Sequence, residues 1–221
     1  MRCVVLLSGG LDSLVAAALT RREHELALAL TADYGQLAAA REIAAAAAQA
    51  RWLGCPHQVV ALPWLGELGG SALTQPEREL PAPQESQLDD RPAAEASAAA
   101  VWVPNRNGVL VNVAAAYAER LGAEAAVCGF NAEEGATFPD NTPEFMAAAE
   151  GLWRFSTARG LRLLSPTVAL DKTEIVRQGL ALGAPLELVW SCYRGGEQPC
   201  GVCESCRRLR RALARNGLEE S

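Results

Sequence analysis

Apolar positions along the chain alternate between unbroken runs and one-sided helical faces. Cys3-Val4-Val5-Leu6-Leu7 is an unbroken run, the pattern of a strand buried on both faces. Leu11 to Arg22 then places Leu11, Leu14, Val15, Ala18 and Leu19 on one helical face. Leu26 to Ala32 is a second apolar strand, Gln36 to Leu53 an alanine-dense helix ended by Gly54 and Pro56, and Gln58 to Leu62 a third short strand. Strand, helix, strand, helix, strand is the signature of a right-handed parallel sheet.

From Pro63 to about Ala100 the period is lost among Pro, Glu, Gln, Ser and Ala. A connection this long predicts a flexible insertion beside the functional site. Order returns at Val101-Trp102-Val103-Pro104-Asn105-Arg106-Asn107, followed by a helix from about Gly108 to Leu121 and a strand over Ala125 to Gly129. A polar loop from Phe130 to Asn141 precedes a helix that begins at Thr142-Pro143, with proline in its first turn. Leu161 to Leu164 is a last short apolar stretch, and Leu170-Asp171-Lys172-Thr173-Glu174 opens a helix ending near Leu182. The pattern predicts an α/β, parallel-sheet, Rossmann-like domain over residues 1–190 and a small C-terminal segment over 191–221.

A chain of 221 residues, half of them hydrophobic, is long enough to bury the core of one such domain. The formal charge of −6 disfavours a basic nucleic-acid surface, so no stable nucleic-acid partner is expected and small-molecule chemistry is the default. No apolar run reaches membrane length and no secretory leader pattern opens the sequence, which predicts a cytoplasmic protein without membrane contact.

Against this frame, Ser8-Gly9-Gly10-Leu11-Asp12-Ser13 stands where the first strand gives way to the first helix. Glycines there let backbone N–H groups approach an anion at a helix N-terminus. Asp12 and Ser13 offer a carboxylate and a hydroxyl for Mg²⁺ or a phosphate oxygen. The common ATP loop needs a lysine beside its glycines, and the only lysine here is Lys172. Asp33, Tyr34 and Gln36 follow the second strand, on the edge where open α/β sheets bind nucleotides. Arg106 and Asn107 precede a helix, where a guanidinium can grip phosphate or carboxylate. Asn131 and Asp140 lie in the loop after the fourth strand, and Lys172 at a helix start is a point charge for phosphates. The alternative for each is structural: a plain turn, a capping aspartate, a surface arginine, a solvated acidic loop or a solvated lysine.

Of seven cysteines, Cys3, Cys55 and Cys128 stand alone in apolar surroundings and read as buried core thiols. Cys192, Cys200, Cys203 and Cys206 crowd together, with two Cys-x-x-Cys steps sharing Cys203. Four thiolates suit a closed, structural Zn²⁺ site. A redox pair would use only two of them, and an iron–sulfur cluster all four, though without the familiar ferredoxin spacing. Arg207-Arg208-Leu209-Arg210-Arg211, the dense basic run, reads as a solvated helix face.

Five segments in order, Ser8 to Ser13, Asp33-Tyr34-Gly35-Gln36, Val103-Pro104-Asn105-Arg106-Asn107, Asp171-Lys172-Thr173-Glu174, and Ser191-Cys192-Tyr193 with the three later cysteines, together resemble the 7-cyano-7-deazaguanine synthase family. This is a branch of the pyrophosphate-loop ATPases with an adenine nucleotide α-hydrolase-like fold. The resemblance implies ATP contacts along Leu7, Ser8, Gly9, Gly10, Leu11, Asp12, Ser13, Leu14, Val15, Ala16 and Ala17. It further implies catalytic or substrate roles among Asp33, Tyr34, Gln36, Arg106, Asn107, Asn131, Asp140 and Lys172, and zinc on Cys192, Cys200, Cys203 and Cys206. The implied reaction joins 7-carboxy-7-deazaguanine and ammonia to give the nitrile, using ATP and Mg²⁺, in a homodimer. The chain departs from the family pattern at Leu37-Ala38, at Asn105 and over 134–141. Two other readings follow from the same residues. One is an AMP-forming relative that acts on another carboxylate, or on a tRNA base for sulfur transfer, and the other is a docking module built on the zinc tail.

Overall fold

Five parallel strands make one sheet: β1 (Arg2–Leu6), β2 (Glu25–Asp33), β3 (His57–Ala61), β4 (Ala125–Val127) and β5 (Arg162–Leu164), in the order β3-β2-β1-β4-β5. The computed structural model describes residues 1–218; residues 219–221, the end of the expected C-terminal segment, lie outside the described residues.

Alternation along β1 explains the unbroken apolar run. Val4 points into one core with Leu28 and Leu30 of β2, whereas Cys3, Val5 and Leu7 point into the other. Each core is covered by helices. On the second side lie α1 (Leu11–Arg21) and α2 (Ala39–Leu53), through Ala17, Ala18, Ala46 and Ala50. The intervening chain forms α3 (Pro63–Glu67) and α4 (Arg91–Val101). The first side is covered by α5 (Arg106–Arg120) and, after the single turn α6 (Ala132–Gly135), by α7 (Pro143–Ser156). Fully buried Trp153 of α7 satisfies its indole N–H on Asn112 Oδ1 at 3.0 Å. Finally α8 (Lys172–Ala181) and α9 (Glu204–Arg215) pack on α1 through Val15, Ile175, Val176, Leu209 and Ala212.

Strand order reverses between β1 and β4, so the loops that follow them diverge to opposite faces and open a crevice at the carboxyl edge of the sheet. The two loops come very close at its floor. A methyl group on Gly129 would lie 2.5 Å from the Ser13 amide nitrogen, so only glycine permits that approach.

Three expectations change. Residues 63–100 contain two helices: Asp90 caps α4 by accepting from the Ala93 N–H at 3.1 Å, and Leu65, Leu73, Leu80 and Val101 gather with Tyr34 in a cluster of their own. The cluster is a satellite of the main core, which is why no long period marks it. The second helix begins at Ala39 and not at Gln36, because the Gln36 side chain accepts from the Tyr34 N–H at 2.9 Å and holds a turn. The arginine run is not a uniformly solvated face. The side chains of Arg208 and Arg211 are 13% and 10% exposed, and both are ion-paired.

Candidate nucleotide and substrate site

The crevice holds a cavity of about 280 Å³ lined from every direction by segments distant in sequence. Its floor is the loop after β1. Gly9 adopts φ +82°, and a methyl group there would meet the Glu42 carbonyl oxygen at 2.5 Å. The Gly9 carbonyl is turned away and pinned by the Trp190 N–H at 2.9 Å and by Nε2 of buried Gln49 at 2.8 Å. Ser13 Oγ receives the Ser8 N–H at 3.1 Å and donates to the Gly10 carbonyl at 3.2 Å, closing the turn on itself. With Gly10 as N-cap, α1 starts without a side-chain cap, leaving the positive end of its dipole beside the cavity.

Charge concentrates at one side of this floor. Lys172 Nζ donates to Asp12 Oδ2 at 2.6 Å and to Glu134 Oε1 at 3.2 Å, although the two elements carrying Lys172 and Asp12 are 160 residues apart. Burial would neutralise this lysine, but the two carboxylates outweigh it and hold its pKa above the ordinary value. Burial pushes the Asp12 carboxyl upward; Lys172 opposes the shift, while Glu134 and Glu133 add to it. For Glu134, burial is outweighed by Lys172, and its pKa falls. Asp12 Oδ1 is buried and has no hydrogen-bond partner. One lysine among several carboxylates, with an orphaned oxygen, fits a site that takes a further hard cation.

The opposite wall is aromatic and mixed. Tyr34 Oη receives a hydrogen bond from Arg106 Nη1 at 3.3 Å, and the guanidinium carbon lies 5.8 Å from the tyrosine ring centroid. Trp102 and Phe138 stack with centroids 6.2 Å apart and planes 9° from parallel. Asn107, Asp140 and Gln36 complete this side, and Glu42, receiving Gln36 Nε2 at 2.8 Å, is raised above the usual carboxylate range by burial.

Of the residues expected at the site, Leu7, Ser8, Gly10, Leu11, Asp12, Ser13, Tyr34, Gln36, Arg106, Asn107, Asp140 and Lys172 all line this cavity. Leu14, Val15, Ala16 and Ala17 are fully buried in the core and do not line it; Gly9 shapes it through its backbone. Asp33 accepts from the Gly35 N–H at 3.1 Å, and Asn131 caps α6 by accepting from the Glu134 N–H at 2.9 Å; neither lines the cavity. Sequence reasoning gave no individual site role to Glu42, Gln49, Trp102, Glu133, Glu134 or Phe138, and it read Arg208 as part of a solvated face. The acidic loop was the only signal, and it did not say which carboxylate turns inward.

Beside the cavity, the sulfurs of Cys192, Cys200, Cys203 and Cys206 all lie within 4.8 Å of one another. A tetrahedral zinc with Zn–S near 2.3 Å needs sulfurs about 3.8 Å apart, so the donor set fits that ion. Cys192 Sγ accepts the N–H groups of Arg194 and Cys200, and Cys200 Sγ that of Cys203, each at 3.3 Å. Backbone donors of this kind favour thiolates. Tyr193, lining the cavity, also packs on this cluster and joins the two sites.

Cys128 borders the cavity as well, but burial pushes its thiol up to about 12 and its Sγ lies 3.6 Å from the Leu164 carbonyl oxygen. A thiol in that state is a poor nucleophile, in keeping with a core cysteine.

A parallel sheet whose strand order reverses beside a glycine-rich loop is the architecture of a Rossmann-like α/β domain, here with a four-cysteine cluster next to its crevice. The model of one family, described as "Queuosine biosynthesis protein QueC", matches residues 2–217, and the chain belongs to that family. Among its relatives, a 7-cyano-7-deazaguanine synthase of Desulforudis audaxviator is 58% identical over 96% of both chains. One of Desulforamulus reducens is 53% identical, over 99% of this chain and 96% of the relative. Another, of Pelotomaculum thermopropionicum, is 51% identical over 99% of each.

Proposed function

We propose that this chain catalyses the ATP-dependent conversion of 7-carboxy-7-deazaguanine and ammonia to 7-cyano-7-deazaguanine, as a ligase that forms C–N bonds. The observation that carries the reading is the meeting, in one cavity, of the glycine loop with Asp12 and Lys172 on one side and of Arg106, Tyr34, Trp102 and Phe138 on the other. The first group suits a triphosphate; the second suits a flat, anionic heterocycle.

A carboxylate is a poor electrophile. Transfer of AMP from ATP to its oxygen, with loss of pyrophosphate, makes it an acyl adenylate. Ammonia then adds at the acyl carbon, the bond to AMP breaks, and the amide forms. A second AMP transfer to the amide oxygen turns that oxygen into a leaving group; loss of AMP and of the remaining N–H protons gives the nitrile.

In this scheme the loop amides and Lys172 stabilise charge that develops on the departing pyrophosphate. Arg106 orients the carboxylate. Asp12 would hold Mg²⁺ through its orphaned oxygen, and the ion would supply further neutralisation of phosphate charge. The four cysteines would hold Zn²⁺, whose closed sulfur set supplies structure and no open position for chemistry. Residues 1–190 would act as the catalytic domain and 191–221 as the metal-binding tail, in the cytoplasm, where free thiols persist. Light scattering tests the homodimer that the resemblance implies.

The direct experiment incubates the protein with ATP, Mg²⁺, ammonium and the carboxylated base and follows products by mass spectrometry. Nitrile and AMP are expected. Formation of ADP in place of AMP, or no turnover of that base, would sink the reading.

A further inference from the structure

Arg208 faces the cavity from the helix that carries the last cysteine, yet all three of its guanidinium nitrogens are already engaged. Nε donates to Glu204 Oε1 at 2.8 Å, Nη1 to Glu133 Oε2 at 2.9 Å, and Nη2 to the Leu88 carbonyl at 2.8 Å. Three of its five N–H groups are thus held inside the protein, one on each nitrogen. One of these partners, Glu133, leads on to the glycine loop. The other oxygen of that carboxylate accepts the Lys172 backbone N–H at 3.0 Å, at the first residue of α8. Lys172 then reaches Asp12 in the glycine loop.

We propose that Arg208 is a positioning residue that couples the four-cysteine segment to the nucleotide site, through the chain Arg208, Glu133, Lys172, Asp12. The start of α9 is fixed by the cluster, since Cys203 is its N-cap and Cys206 lies in its first turn. From there the ion pairs spread in two directions. Toward the floor, Arg211 Nη2 stands 3.5 Å from the same Glu133 oxygen and reinforces its placement. Toward the roof, Glu204 meets the Ser97 hydroxyl and Arg211 pairs with Asp89 at 2.8 Å, so the segment around α4 is tied to the same helix. A helix anchored by sulfur ligands therefore sets the height of Lys172 over the loop. The cysteine segment on this view organises the active site as well as its own fold.

The coupling rests on the nucleotide reading of the cavity. Its test measures MgATP binding by calorimetry, without the base or ammonium, to the zinc-loaded full chain and to R208M, R208K, E133Q and the R208M/E133Q double variant. Melting temperature and metal content are recorded alongside. Loss of an outer-shell partner weakens function by roughly 10- to 100-fold, and a loss of that size in MgATP affinity is expected for R208M and E133Q at unchanged zinc content. The double variant should bind no worse than the weaker single one, because both cut the same chain, and R208K should fall between R208M and the unaltered protein.

If R208M does not fold, the near-isosteric E133Q carries the comparison. Unchanged MgATP affinity in folded variants, or losses that simply add, would overturn the coupling and leave the proposed reaction standing. Failure of the unaltered chain to bind MgATP would overturn the nucleotide reading, and the coupling with it.

Discussion

Lys172 is the residue on which most of the site's charge balance turns. It is ion-paired with both Asp12 and Glu134, and its side chain is 9% exposed. Removing one member of a buried pair leaves the others desolvated and unpaired, which costs on the order of 3 kcal/mol. Lys172→Met is therefore expected to lower the melting temperature and, by exposing the triphosphate to unbalanced carboxylates, to reduce AMP release by roughly 10²- to 10³-fold. A variant that melts as the parent does and releases AMP at the parent rate would show that the lysine is a bystander. The same cluster fixes a pH dependence. Glu134 has a folded pKa below its ordinary 4.5, so its ionised form stabilises the fold above that value and the contribution is lost as the pH falls through the lower, folded one. Compared with Glu134→Gln, the parent should hold its thermal advantage above pH 4.5 and lose it progressively as the pH falls below that value; an advantage independent of pH would assign it to packing. None of this pairing was legible in the sequence. The Lys172 side chain could be placed at a helix start, but its partners come from the starts of two other helices, 160 and 38 residues away.

At the scale of elements, the junction of β1 with α1 was legible because its information is local. An apolar run, two glycines and an amphipathic helix follow one another within a few residues. What was not legible is how tightly α2 presses on that junction. Gly9 needs its positive φ, and a methyl group there would lie 2.5 Å from backbone of α2. Gly9→Ala should thus force the loop off the helix, weakening MgATP binding more than the 1 kcal/mol or so expected for a left-handed residue alone. Equilibrium unfolding run beside binding distinguishes the two; a stability loss with unchanged affinity would mean that the loop is re-formed when nucleotide binds. The segment between β3 and α5 was illegible for a different reason. Its helices face a cluster around Tyr34 and Val103, and α4 buries Ser97, Ala98 and Val101, mostly small side chains that leave a weak apolar signal. The basic run on α9 misled in the opposite sense: arginines around a helix look solvated until the carboxylates of other elements, Glu133 and Asp89, are brought to them.

For the whole molecule, the cysteine cluster gathers residues 192–206, while α9 beyond it is held by apolar packing on α1 and α8. Cys192 and Cys203 are nearly fully buried, yet the chain around them is rich in glycine and polar residues, so apolar burial is a minor source of order there. Structural zinc contributes roughly 10 kcal/mol or more to the folding of comparable cysteine sites. Cys203→Ser is expected to abolish stoichiometric zinc in metal analysis and to give an early unfolding step confined to the tail; retention of one zinc per chain would refute Cys203 as a ligand. By itself the sequence determined the alternation of strands and helices, the glycine loop at the first strand end and the grouping of four cysteines in the tail. Each of these is written in neighbouring residues, because the period of burial and the reach of a turn are local properties. Only the tertiary structure decided that β1 and β4 are adjacent at the reversal of strand order, which carboxylates face Lys172, and that two of the tail's arginines are buried braces. Ion pairing and desolvation depend on distance through space, and it is the folded sheet that brings residues 12, 133, 172 and 208 into one site.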